Sequence, residues 1–378
     1  MRKFFLAIFA ILLIAFGIYG LDYFSKLKQA KQDLSGAVLS LNERQYDDAV
    51  EKLKNIIASY PYSIVKAPAL YLLADTYEKQ NSYNTALETH RLLITHKQIP
   101  VTNDWLILSI IAVSKLYRSD LLPLSEGGED AVYRYIGTIE NTIDRKKEQL
   151  SLSPIFNWDE RPFISLQNNL VSLKLDNKEI LKYLDTELAF LYMKAGKYEE
   201  AAVIFSELHT NAARFGMAQI YFDKGNYRQG IDILKELTVY DTTGKINVLY
   251  LDKMFEYAEL LFKMERYNES IDIYTKIISL SPDSKYAEFS SYKLATYYYA
   301  SGDYKNAQRY VDTTLSNTIT LKDEDSYLLK GYIYYDSREY YRALKVFEDF
   351  PKRFPQSQKT RSAKEWKAMC ERSIKYLG

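Results

Sequence analysis

The chain has 378 residues, with 50 Lys and Arg against 49 Asp and Glu, so no whole-molecule basic field is available for nucleic acid. A single cysteine, Cys370, excludes an intrachain disulfide framework and a Cys-based zinc site. With 14 Gly and 9 Pro the turn-rich signature of an all-β fold is missing, and the length suits two ordinary domains or one extended array.

Residues 1–3 are a short tail in which Arg2 and Lys3 precede the apolar run FFLAIFAILLIAFGIYG, and the next charge is Asp22. A helix over 4–23 would be about 30 Å long, enough to cross a bilayer. The run outlasts an ordinary signal-peptide core, and Ala15-Phe16-Gly17 offers only a weak cleavage site. The expectation is an uncleaved transmembrane signal-anchor helix, with a cleaved secretory signal as the rival reading. Arg2 and Lys3 favour a short cytoplasmic tail, while Lys26, Lys28 and Lys31 flank the other side. Because the tail is so short and the run resembles a signal, the expectation is a single-pass membrane protein with the bulk of the chain extracytoplasmic, on the periplasmic face of an inner membrane.

The remainder is built on one pattern, shown by LAFLYMKAGKYEEAAVIF at 188–205. Leu188, Ala189 and Tyr192 share one helical face, Gly196 breaks the run, and Ala201 and Phe205 repeat the stripe. Small residues at 189 and 201 let two antiparallel helices cross closely. One such hairpin cannot bury both of its apolar faces, so copies are expected. The tyrosine at 198 recurs as Tyr46, Tyr83, Tyr227, Tyr267, Tyr304 and Tyr340. Three residues after each stands Ala49, Ala86, Ala201, Gly230, Ser270, Ala307 or Ala343; nine before stands Ala37, Ala74, Ala189, Ala218, Ala258, Ala295 or Gly331. Pro61, Pro282 and Pro355 close three of the units.

These residues resemble the tetratricopeptide repeat (TPR), whose pattern is Leu-Gly/Ala-x-x-Tyr, then Ala-x-x-x-Phe, then Pro. LYLLADTYEKQNSYNTALETH, at 70–90, matches through Leu73, Ala74, Tyr77, Tyr83 and Ala86, with His90 in place of the Phe. The resemblance implies an all-α fold, a right-handed α-α superhelix (TPR solenoid) of at least seven hairpins, preceded by the transmembrane helix. The links Tyr60-Pro61-Tyr62-Ser63 and Ser281-Pro282-Asp283-Ser284 are similar to those of bacterial envelope TPR proteins of the barrel-assembly lipoprotein and cell-division coordinator type.

The expected organisation places the first units at 24–97 and the main array at 181–355. Between them, 98–180 is a divergent helical insert, with helices over 104–117 and 128–150. SLSPIFNWDERPF, at 151–163, follows as an aromatic loop whose Phe156, Trp158 and Phe163 plug the array or form a partner loop. Residues 356–378 read as a C-terminal capping helix carrying Trp366, Met369 and Cys370.

No catalytic, cofactor-binding or metal constellation is visible. His90, His96 and His209 lack ligand spacing and read as satisfied or solvated side chains. Function therefore falls to the face formed by the first helix of each hairpin, which in the resembling family lines a concave groove. Its positions carry Tyr71, Phe190, Met193, Phe215, Phe222, Phe255, Phe262, Tyr292, Tyr299, Tyr332 and Tyr335. Lys, Asn and Arg are missing from those positions, which disfavours a clamp for a C-terminal carboxylate. Large rings with few torsions suit a helix or extended peptide instead. The expectation is a scaffold or adaptor, anchored in the cell envelope by residues 4–23 and binding a protein or peptide partner through this face. The alternative is an accessory subunit of a membrane enzyme or transport complex that docks through 98–180.

Overall fold

A computed structural model of the protein describes residues 2–60, 63–97, 99, 103–119, 129–152 and 177–377, with side chains over 22–60, 65–97, 99, 103–119, 131–148 and 180–376. Seventeen α-helices and no strand occur among the described residues. In chain order they are α1 (Arg2–Asn42), α2 (Tyr46–Ser59), α3 (Ser63–Lys79), α4 (Tyr83–Ile94), α5 (Asp104–Arg118), α6 (Glu129–Leu152), α7 (Asn177–Lys194), α8 (Tyr198–Leu208) and α9 (Asn211–Asp223). Next come α10 (Tyr227–Leu237), α11 (Lys245–Lys263), α12 (Tyr267–Leu280), α13 (Lys285–Ala300), α14 (Tyr304–Leu315), α15 (Asp323–Asp336), α16 (Tyr340–Arg353) and α17 (Thr360–Leu377).

The in-phase small residues are where the helices meet. Ala37, Ala49, Ala74, Ala86, Ala189, Ala201, Ala218, Ala258, Ala295, Ala307 and Ala343 are all fully buried. The turns explain why each hairpin closes at the same place. One residue per turn adopts positive φ: Arg44, Asn81, Gly196, Gly225, Glu265, Gly302 and Arg338. The next N–H then reaches back five residues, as in Ser82 to Tyr77, Lys197 to Tyr192, Arg266 to Leu261 and Glu339 to Tyr334. Each is a Schellman closure that satisfies a carbonyl at the helix end.

Two compact units divide the chain, Met1–Ile220 and Tyr221–Gly378, with the boundary inside α9. In the first unit, α1–α4 pack in sequence, and Ala30, Leu34 and Ala37 of α1 join Leu53 and Ile56 in one core. The insert departs from the hairpin rule. Helix α5 packs on α3, α4 and α7, whereas α6 packs mainly on α7. As a result α5 is buried over most of its surface, through Trp105, Leu106, Ser109, Ile110, Val113, Leu116 and Tyr117 among others, and the strip of Asp104, Leu108, Ala112 and Lys115 stays partly or fully exposed. In the second unit α11–α17 pack each against the next, and Trp366 of α17 lies on Tyr332, Tyr335 and Phe347.

The expected membrane-spanning helix over 4–23 is corrected by the structure. Among the described residues no helix is long and apolar enough to cross a membrane. Residues 4–23 form no separate element; they belong to the 41-residue α1, which runs unbroken past Asp22, Lys26 and Lys28 into the first hairpin. The side chains of residues 2–21 lie outside the described set. The single-pass, extracytoplasmic placement and the membrane contact derived from residues 4–23 lose their support with it.

Candidate functional site: the first-helix face

All eleven aromatic or Met positions expected on this face are half-buried; none is fully exposed and none is core. Their surroundings differ. In the first unit, Tyr71 lies between His90 and Trp105, with ring centroids 5.8 and 5.4 Å away. Burial first, then the Asp75 and Glu78 charges, push its hydroxyl up to about 12. Phe190 packs edge-on to Phe205 at 4.9 Å, and the Arg118 guanidinium covers its ring at 4.3 Å. Met193 packs against the core around Ala189 and Phe205. Phe215 is half-buried on α9. Between the α3 and α7 contributions the face is interrupted by α5, whose partly exposed strip of Asp104, Leu108, Ala112 and Lys115 carries no aromatic ring. Phe156, Trp158 and Phe163 lie outside the described residues.

In the second unit the face is continuous. Phe222 rests over Gly230, beside Tyr227 at 5.8 Å. Phe255 touches Tyr274, Tyr286 and Phe289, and Phe262 touches Tyr267 and Tyr297. The Lys322 ammonium sits 5.7 and 5.4 Å from the rings of Phe289 and Tyr292. Tyr299 contacts Tyr304, while Tyr332 and Tyr335 hold Trp366 at 4.9 and 5.2 Å.

Polar ties between successive first helices hold these rings in place. Tyr286 donates to Asp252 Oδ1 at 2.7 Å and Lys293 to Glu259 Oε2 at 2.8 Å, each across 34 residues. Lys359 pairs with Asp325 at the same separation. Tyr299 donates to Asp336 and Tyr274 to Glu259. Burial and the adjoining carboxylates raise the Tyr274, Tyr286 and Tyr299 hydroxyls well above their ordinary range. The sequence pattern puts Tyr299 on the face but does not reveal these ties or Phe289. The signal that could have found them is a complementary pair one repeat length apart.

His90 is fully buried, with Nδ1 2.9 Å from Ser109 Oγ and Nε2 3.0 Å from Glu78 Oε1. The order resembles a nucleophile, base and orienting carboxylate, but Ser109 is 0% exposed, so no substrate can reach its oxygen. The three groups instead bind α3, α4 and α5 together. His209 occupies a left-handed turn after α8. Among the described residues no group of three or more His, Cys, Asp or Glu side chains is placed to hold a metal ion.

The fold is an array of helical hairpins. Residues 254–284 and 292–358 match tetratricopeptide repeat models. No curated protein sequence matches the chain. Among solved structures, it is similar to a tetratricopeptide repeat protein from Parabacteroides merdae (15% identity, covering 91% of this chain and 99% of that one, TM-score 0.35). It is also similar to the P58(IPK) TPR domain (15% identity, 92% and 99%, TM-score 0.29). A third similar structure is Acl4, the assembly chaperone of RpL4 (12% identity, 72% and 99%, TM-score 0.42).

Proposed function

We propose that this protein is a non-enzymatic scaffold that holds a protein or peptide partner on the first-helix face of its second unit. The observation that carries this is the run of half-exposed rings Phe255, Phe262, Tyr292 and Tyr299, fixed on successive first helices by inter-repeat ties. Rings held in this way offer contact area with little further entropy to lose on binding. Most carboxylates of the face are already engaged by Tyr or Lys, which favours an apolar or aromatic ligand segment over a basic one. The cell-envelope setting expected with the anchor does not enter this proposal.

The test is a peptide library selected on the purified chain, followed by affinity measurements on variants. Phe262→Ala and Tyr292→Ala should each weaken the selected peptides about tenfold or more, as central aromatic contacts do. Tyr341→Ala, at a 75% exposed position on a second helix, should leave affinity unchanged. Equal affinity across all three variants would sink the proposal.

A further inference from the structure

We infer that the joint between α13 and the start of α15 is a binding site for a hard divalent cation of the calcium class, held by Glu288, Asp323 and Ser326. Glu288, in the first turn of α13, is 0% exposed. Its Oε1 accepts the Lys322 backbone N–H at 2.7 Å, which presses the carboxylate against the first turn of α15. Its Oε2 is buried without a partner. Asp323 follows Lys322 directly, and its Oδ1 is likewise buried and unpartnered. Ser326 is three residues further on the same helix, hence on the same side, fully buried, and its Oγ has no partner.

Glu288 Oε2, Asp323 Oδ1 and Ser326 Oγ are thus three buried oxygens at the joint of α13 and α15 that accept no protein hydrogen bond. Buried polar groups are rarely left so, because each loses its hydration without compensation. The Lys322 charge acts on Glu288 and the Arg353 charge on Asp323, but both cations also contact other groups. The Lys322 ammonium faces Asp325 and the Phe289 and Tyr292 rings, and Lys359 pairs with Asp325. The Arg353 guanidinium covers the Tyr327 and Phe354 rings. Burial raises both carboxyls, and the Asp323 charge further opposes ionisation of Glu288. A cation would reverse that opposition. An all-oxygen set selects a hard ion, and two carboxylates match a divalent charge. Calcium tolerates irregular coordination completed by water, whereas magnesium demands a near-ideal octahedron. With two carboxylates and a hydroxyl, the set is smaller than the groups of three acidic, His or Cys side chains that are lacking among the described residues.

The test uses the full chain, stripped with chelator and titrated calorimetrically with Ca²⁺ alone, with thermal unfolding as a second readout. Expected results are one Ca²⁺ per chain and an upward shift of Tm, with a weaker response to Mg²⁺ and none to K⁺. Glu288→Gln keeps the acceptor for the Lys322 N–H, and Asp323→Asn keeps the helix start; each should cost at least about tenfold in Ca²⁺ affinity. Asp336→Asn, at the far end of α15, should leave it unchanged. Absence of Ca²⁺ binding by the unaltered chain would overturn the site whatever the variants do. So would affinities in Glu288→Gln and Asp323→Asn that both equal that of the unaltered chain. A Ca²⁺-independent proton uptake lost in Glu288→Gln would assign the joint to a shared proton instead and likewise overturn it.

Discussion

The hydroxyl of Tyr299 donates to Asp336 Oδ2 at 2.5 Å across 37 residues, tying the last turn of α13 to the last turn of α15. At the other end of the same helix Tyr286 donates back to Asp252 of α11. These tyrosines carry two roles at once: the hydroxyl is part of the frame, and the half-exposed ring face is what remains for a partner.

Separate variants should therefore split the roles of Tyr299. Tyr299→Phe keeps the ring and loses the tie, with an expected cost of about 0.5–1.5 kcal/mol, toward the lower end because the site is half-exposed. Amide exchange should rise over 285–336 and not across the whole unit, since repeat stability is local. Peptide affinity should survive in Tyr299→Phe and fall in Tyr299→Ala. Loss of affinity in both would assign the contact to the hydroxyl.

Alkaline pH should destabilise the fold from the ordinary tyrosine range upward. Tyr71 and Tyr192 are pushed from 10.0 to about 12, chiefly by burial. Between those values the unfolded chain releases protons that the folded chain retains. Their contribution is fully present below pH 10 and is lost as pH rises toward about 12. Denaturant midpoints should fall above about pH 10, and tyrosinate absorbance should lag in the native protein relative to the chain in urea. Coincident native and unfolded titrations would contradict this.

Two glycines at the small positions of the hairpin, Gly331 on a first helix and Gly230 on a second, should respond differently to alanine. A Cβ at Gly331 would lie 2.5 Å from Phe347 Cζ, and Phe347 is 0% exposed and bracketed by the Tyr332 and Trp366 rings. Gly331→Ala should cost about 1–3 kcal/mol of overpacking. At Gly230 the atom in the way is Phe222 Cε1 at 2.5 Å, but that ring is half-exposed and can swing outward. The ~1 kcal/mol gain in helix propensity then offsets the adjustment, so Gly230→Ala should be near neutral. Denaturant unfolding of the two variants decides the matter.

His90 occupies a position that the repeat pattern gives to Phe, which makes His90→Phe an informative change. The substitution restores the pattern yet leaves Ser109 Oγ buried without its partner, at an expected cost of about 1–3 kcal/mol. Adding Ser109→Ala should recover part of the loss, and a double-mutant cycle measures the coupling. Additive losses would mean that the contact contributes little.

The amino-acid sequence by itself determined the hairpin. Small residues twelve apart, a turn between them and seven copies in phase leave one way to bury the apolar stripes, and every in-phase Ala is indeed buried. The resemblance of the repeats, and not the period alone, assigned the rings to the first-helix face, where they stand half-buried. Only the tertiary structure decided what those rings do. Whether Tyr299 meets Asp336, or Tyr332 is covered by Trp366, depends on the offset between helices distant in sequence, which no local period encodes. The same holds for α5, whose pattern reads as an ordinary first helix but which α3, α4 and α7 cover over most of its surface. The helix drawn over 4–23 was an inference from local hydrophobicity; in the fold those residues begin α1, whose end is set by packing in the first hairpin. Periodicity is a property of a segment, whereas burial and pairing are properties of what packs against it.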